Sequence, residues 1–487
     1  MRTGLAWLGL WFAALAVAAP QAPEETWYSV HLDGRKIGHM RSVRALEADG
    51  RVRHEQALVL TVERSGQVLR IATDERSWET AAGAPLAFET RVDMAGSASR
   101  TYGSLEPDGR LQIRSESQGQ AQQHSMVWPE GALLPEGQRL AGERAGFAPG
   151  TRYRVLAFDT SSLQAMGIRT RVKAMEEVEI HGRREHLLAL DQVLDIGGVP
   201  TETRAWVEPD THDLRRLRMP AIGLTLEMLA CDQACALAPV QPTDVFASTL
   251  VASPRALGPR HLRHALRYNL RLRRGEGASL AQVPGQSLQA LATGREYALT
   301  VDPRGDDDAP PVPADLAPNR WLQSDDEEVV ALGRRATHDV QGKVAQAKRL
   351  ENFVRSYITT KSLRVGYASA REVVRGREGD CTEHAVLLAA LMRANGIPAR
   401  VATGIAYTPS FGGKQQVFVP HAWVMAWVGK EWRGYDAALA GFDAGHIAFT
   451  LGDGDPFRFY GGIELLGGLE MLSVERARRD EPAEVAQ

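Results

Sequence analysis

No charge of either sign dominates this sequence. Its 57 lysines and arginines nearly cancel 60 aspartates and glutamates, leaving a formal net charge of −3. That balance gives no electrostatic reason to expect a nucleic-acid partner. Cysteine is also scarce, at three in 487 residues. Cys231 and Cys235 lie four apart, and no second Cys/His pair stands near them in sequence, so a zinc-binding module is not indicated. In an oxidising compartment the two could instead close a small-loop disulfide. There is no convincing internal repeat. Past the first twenty residues no stretch is long and apolar enough to span a bilayer.

What is present begins at the N-terminus. Arg2 precedes an apolar run from Leu5 to Ala19, the length of a signal-peptide core, and Ala16-Val17-Ala18 fits a small-x-small cleavage site. The expectation is a signal peptide over 1–18 and a periplasmic or secreted protein, with an N-terminally anchored form as the alternative. No cysteine follows the run, which argues against a lipoprotein. Hydrophobic residues make up 44% and charged residues 24%, ordinary for a folded protein and enough chain for two to four domains.

Residues 24–239 read as strand and turn. Apolar and β-branched runs such as Ala57–Val62 alternate with turn signals at Asp33-Gly34, Asp49-Gly50, Asp108-Gly109 and Gly197-Gly198. This predicts an antiparallel β domain, in which His124, His181 and His186 read as scattered surface histidines. A second, smaller β-sandwich-like module is expected over 245–301. The proline- and aspartate-rich stretch 302–318 is the best linker in the chain. Helical spacing follows, in 325–336 and 341–358. The acidic runs at 306–308 and 325–328 read as a solvated loop and a helix start rather than a metal site.

The chemistry concentrates further on. Gly379-Asp380-Cys381-Thr382-Glu383-His384 precedes eight apolar residues, Ala385 to Met392, and the run ends Arg393-Ala394-Asn395-Gly396. Asp380 and Glu383 have capping-box spacing, Gly396 reads as the terminator, and the helix between them is apolar all round. Cys381 becomes its first residue, where backbone N–H groups and the helix dipole favour thiolate. A free cysteine there can equally be a small buried hydrophobe.

Two strand-like runs, 417–428 and 431–436, flank Gly429-Lys430 and make a β-hairpin. If Val428 faces Glu431, then His421 is the diagonal neighbour of Asp436 on one face of the sheet, close enough for the carboxylate to orient the imidazole. A slip of one residue would put them on opposite faces. A metal site from Cys381, His384 and His421 lacks the usual ligand spacing. His384 as the base is disfavoured because its own helix holds it to one side of Cys381.

The segments Gly379-Asp380-Cys381, Arg393 to Arg400, His421-Ala422-Trp423-Val424 and Glu431-Trp432 through Asp436 together resemble the core of the bacterial transglutaminase-like superfamily. The resemblance implies a papain-like α+β fold over 319–475, with a short tail at 476–487. It implies Cys381 as nucleophile, His421 as general base and acid, Asp436 as orienting residue, and an acyl-enzyme formed without metal or cofactor. Tyr367 stands before Ala368-Ser369-Ala370, where many members have an aromatic residue, and no side-chain oxyanion donor is assigned to it. Water would resolve the acyl-enzyme by hydrolysis of a peptide or amide, whereas an amine would give glutamine cross-linking. A binding or scaffold protein with an idle triad is the reading from another class. The expected partner is a protein or peptide substrate, with cell-envelope components as further candidates.

Overall fold

The computed structural model describes residues 22–477 apart from 65–66, 95–96, 118–119, 197–198, 222–223, 242–243, 245–248, 273–282, 292–294, 305–308, 362–367 and 456–467. The N-terminal apolar run, the Gly197-Gly198 turn, Asp306–Asp308 and Tyr367 therefore lie outside the described residues. Among those described, no helix is long and apolar enough to cross a membrane.

The first half of the chain is the expected antiparallel β structure. Fifteen strands form one sheet between Glu24 and Cys231. It consists of an eight-stranded meander and a second run that ends in a parallel pairing of Ala132–Leu133 with Arg152–Asp159, joined where the first strand, Glu24–Leu32, pairs with the last, Leu224–Cys231. Asp33-Gly34 turns the first hairpin with both residues at positive φ, 46° and 78°, a conformation that suits this pair. Phe88, Leu111 and Ile113 from one end of the sheet share a core with Ala132, Leu134, Phe158 and Leu163 from the other. The sheet is therefore curled until its two ends pack together.

A helix, Pro135–Ala145, lies against this sheet and carries a buried carboxylate, Glu136. Arg44, Arg139 and His54 all bond to it, with Arg44 Nε 2.9 Å from Oε2. Burial opposes ionisation of Glu136, but these bonds outweigh it and hold the carboxyl far below its usual range. Glu79 accepts from the backbone N–H of Glu136 and Gly137 at 2.8 and 2.7 Å, satisfying donors that open every helix. This network is a structural clamp inside the β domain.

The small β region is organised differently from a free-standing module over 245–301. Its four-stranded sheet places Leu266–Leu272 between Glu296–Val301 and Leu469–Arg476, so one strand comes from nearly two hundred residues later. Val251–Ala252 leaves it altogether and pairs with Val417 and Phe418 of the C-terminal sheet. Leu266, Tyr268 and Leu270 share a core with Ile405, Phe418 and Ile447. The expected linker is likewise fastened down. Asp315 is ion-paired with Arg400 at 2.7 and 2.8 Å, and Trp432 donates to the Ala309 carbonyl at 3.0 Å. Proline and aspartate there mark a segment without regular pairing, and its partners lie on distant side chains that local composition does not reveal.

Four helices and a sheet make the α+β core. Cys381–Ala394 is the central helix, and every residue from Thr382 to Arg393 is buried. Helices Glu327–Thr337, Lys343–Tyr357 and Ala370–Gly376 cover it, and strand Lys414–Val428 packs on it as well. Leu387, Leu388, Leu391 and Met392 are fully enclosed, and burying each such side chain is worth about 1.5–3 kcal/mol. This explains why an all-round apolar helix is stable here. Asp326 caps the first of the covering helices, accepting from Glu328 N at 2.9 Å, as the acidic run predicts. The long strand pairs Ala399–Phe411 on one edge, while Val251–Ala252 and Glu431–Tyr435 lie along the other.

Candidate active site

Cys381 is the first residue of the central helix, as its sequence predicts. Asp380 Oδ1 accepts from Thr382 N at 2.9 Å, and Glu383 Oε2 accepts from Asp380 N at 2.9 Å. Both halves of the capping box are made. The Asp380 carboxylate is thereby turned onto the helix backbone and the Thr382 hydroxyl, 2.7 Å away. Cys381 itself is only partly buried and packs against the core beneath the helix.

Gly379 lets the cap close. A Cβ at that position would stand 2.3 Å from Glu383 Cβ. Glu383 also accepts from Ala368 N at 3.1 Å, tying the cysteine helix to the segment before Ala370–Gly376. Burial, and then the negative charge of Asp380, raise the Glu383 carboxyl to about 8.

The hairpin has the register derived from its turn. Val428 faces Glu431, and the ladder continues to Val424 and Tyr435. Gly429 and Lys430 turn it with φ of 63° and 72°, the geometry of a tight two-residue hairpin. Pairing stops one step before Trp423 and Asp436. Asp436 nevertheless reaches the predicted neighbour, and His421 Nε2 donates to its Oδ2 at 2.8 Å. Both side chains are almost wholly buried. Since Nε2 is committed to the carboxylate, Nδ1 is the nitrogen left to exchange a proton with a reacting group.

Asp436 is held from several sides. Its Oδ1 accepts from Ala438 N and Leu439 N at 2.7 and 3.0 Å. Its backbone N–H donates to Glu351 Oε1 at 2.9 Å, and Arg355 donates to its carbonyl at 2.6 Å. Glu351 and Arg355 are one turn apart on helix Lys343–Tyr357, so that helix fixes the position of the aspartate.

Sequence reasoning did not find His446. This buried residue opens the strand His446–Gly452, and its Nε2 donates to the same Asp436 Oδ2 at 3.0 Å. Its Nδ1 lies 3.1 Å from Asp443 Oδ1. Burial pulls the imidazole down, but the bonds to Asp436 and Asp443 outweigh it and raise His446 to about 9. Burial likewise pushes Asp436 up, while His421 and His446 hold it well below the ordinary carboxylate range. The only local signal was an Asp three residues before a His, too common to select it.

His421, Asp436 and His446 also have the composition of a metal site. Their spacing fits shared protons better. Two ligands on a tetrahedral zinc, one nitrogen and one oxygen, would stand about 3.4 Å apart given ordinary bond lengths. The observed 2.8 and 3.0 Å are hydrogen-bond lengths between imidazole and carboxylate.

His384 is placed as its helix requires. Its Nδ1 sits 2.6 Å from the Asp380 carbonyl, one turn back. Burial lowers its imidazole below the usual range, against the opposing effect of that bond. Among the described residues its buried Nε2 has no hydrogen-bond partner, nor has Trp423 Nε1.

The proton holdings predict a stability profile. Glu383 is raised from 4.5 and His446 from 6.5, so the folded state keeps protons that the unfolded chain has lost. Stabilisation from Glu383 is complete below 4.5 and disappears as pH rises through about 8; that from His446 is complete below 6.5 and disappears through about 9. Asp436 acts oppositely: its contribution is present above 3.8 and is lost as pH falls through its depressed folded value. Thermal melts should therefore show Tm falling steadily between pH 6 and about pH 9. Glu383→Gln should flatten the lower part of that fall because an amide does not titrate, and should lower Tm at every pH because its NH2 cannot accept one of the two backbone N–H bonds that the carboxyl takes. An unchanged slope in this variant would remove Glu383 from the account.

The family model described as "Transglutaminase-like superfamily" matches residues 330–437. No curated protein matches the chain. Solved structures similar to it include a β-barrel-like protein of a domain of unknown function (DUF1849) from Brucella abortus, 15% identical, covering 43% of this chain and 96% of that one with a TM-score of 0.34. A candidate cysteine protease from Cytophaga hutchinsonii is 17% identical, with 45% and 90% covered and a TM-score of 0.29. The periplasmic domain of TgpA from Pseudomonas aeruginosa, bound to ethylmercury, is 16% identical, with 39% and 88% covered and a TM-score of 0.27.

Proposed function

We propose that this chain, whose residues 330–437 carry the core of the transglutaminase-like superfamily of cysteine-dependent enzymes, is an exported hydrolase of peptide or amide bonds. The reading is carried by the buried His421–Asp436 pair, whose His421 stands on the strand packed against the helix that Cys381 begins. The N-terminal run Leu5–Ala19 supports export.

In this mechanism the Cys381 thiolate attacks the scissile carbonyl carbon, and a C–S bond forms. The His421 imidazolium, stabilised by Asp436, gives its proton to the leaving nitrogen as the C–N bond breaks. Water then adds to the thioester carbonyl while His421 takes its proton. The C–S bond breaks and releases the acid. No metal or cofactor is needed by this chemistry.

Glutamine cross-linking uses the same thioester, with an amine in place of water, and is the second reading. Water is the nucleophile present everywhere in the periplasm, which favours hydrolysis. The test is a glutamine-containing protein substrate incubated with a fluorescent primary amine, with ammonia, new N-termini and amine incorporation followed together. Ammonia or new termini without incorporated amine, absent in Cys381→Ala, is the expected result. Stoichiometric incorporation would replace hydrolysis by cross-linking. Failure of Cys381 to form a covalent acyl adduct with any activated ester would instead favour a binding protein.

A further inference from the structure

The β domain holds a second cluster of chemically capable side chains, remote in sequence from the transglutaminase-like core. Cys231 ends the last strand of the large sheet, opposite Trp27. Asp232 then caps a short helix, accepting from Cys235 N at 2.8 Å, and this turn brings Cys235 back over Cys231. His181 arrives from the hairpin turn that follows strand Gln164–Ile180, at a φ of 50°. Four strands separate that strand from Glu24–Leu32 in the sheet, so His181 reaches this seam because the sheet is curled. His181 is exposed, as a surface histidine, and yet it stands beside the two cysteines.

We propose that Cys231, Cys235 and His181 form a binding site for a borderline-soft divalent transition metal of the zinc class. The three ligand atoms lie within 4.8 Å of one another. A thiolate and an imidazole on one tetrahedral zinc would be about 3.5 Å apart, from bond lengths near 2.3 and 2.0 Å. Cys235 Sγ and His181 Nε2 are 3.7 Å apart. This fits ligand–ligand spacing, and with no metal bound it is also the length of an S–H···N hydrogen bond. Two sulfurs and one imidazole select zinc and its soft neighbours over magnesium or calcium.

A fourth position is within reach. Ser29 Oγ is 3.4 Å from His181 Nε2 and 2.9 Å from His31 Nε2, and the two imidazole centroids are 6.4 Å apart. Water can complete the shell. The histidine that the local sequence lacked, His181, comes from 50 positions before Cys231. A bound metal would fasten the last strand to the His181 turn and so clamp the β domain closed.

The test uses the full chain, reduced, in a Cys381→Ala background so that the third thiol cannot contribute. One equivalent of Co²⁺ should give a thiolate-to-cobalt charge-transfer band, and Zn²⁺ should bleach it. Zinc at a hundredfold excess over its Kd should raise Tm by about 5–10 °C. Affinity should fall about tenfold or more in His181→Ala, and the band should vanish in Cys235→Ser. Should a variant misfold, zinc added to wild type should protect Cys231 and Cys235, but not Cys381, from alkylation. No band and no protection, a band that survives Cys235→Ser, or a Cys231–Cys235 disulfide closed in every molecule of the exported protein would overturn the site.

Discussion

His421→Ala should move the midpoint of the pH profile of Cys381 alkylation by iodoacetamide up toward the ordinary thiol value of ~8.5. In the wild type that midpoint is expected below this value, because a helix start and an imidazole held by Asp436 favour the thiolate. The rate effect at pH 6 is smaller than the change in ionisation. An unperturbed thiol is ~0.3% ionised there, so losing activation removes a few-hundred-fold of thiolate. A low-pKa thiolate is intrinsically a weaker nucleophile, which offsets most of that gain and leaves a net slowing of about tenfold. Amide turnover should fall much further, by ~10²–10⁴, because His421 must also deliver the proton to the leaving nitrogen. The disparity separates the two roles. A wild-type profile centred on ~8.5 and unmoved by the substitution would mean that His421 does not activate Cys381.

Asp436→Ala is expected to be the most damaging change to folding as well as to activity. Asp436 Oδ2 takes bonds from two buried imidazoles, and Oδ1 takes two backbone N–H groups. Removing it leaves the buried His446 with only Asp443 as a carboxylate partner and orphans two backbone donors. Breaking a buried charge pair from one side costs about 3–5 kcal/mol, visible as a large drop in Tm. Asp436→Asn is the informative companion. It keeps the volume and one acceptor, so most of the fold should survive, while turnover falls by ~10²–10⁴ because the amide cannot stabilise an imidazolium. A folded Asp436→Asn enzyme of normal activity would reduce Asp436 to a structural residue.

Much of the site was legible because its signals are local. Asp380 and Glu383 are three apart, and a capping box needs nothing else. Gly429-Lys430 fixes a two-residue turn, and a two-residue turn fixes register. Once Val428 faces Glu431, His421 and Asp436 must share a face. The antiparallel β character of the first half was equally local, written in alternation and in Asp-Gly turns.

The remainder depended on the sheet curl and on contacts across long sequence distances. His446 joins Asp436 because its strand pairs with Ala399–Phe411, and nothing around His446 encodes that neighbour. Glu351 and Arg355 look like any polar pair one helical turn apart until their helix packs beside Asp436. Leu469–Arg476 completes a sheet begun at Leu266, and no pattern within either strand names its partner. The sequence by itself therefore determined the cysteine helix, the hairpin and the pairing of His421 with Asp436, since capping and turn geometry act within a few residues. Only the tertiary structure decided which buried groups surround that pair and which histidine meets Cys231 and Cys235, because burial and sheet curvature are properties of the whole packed chain.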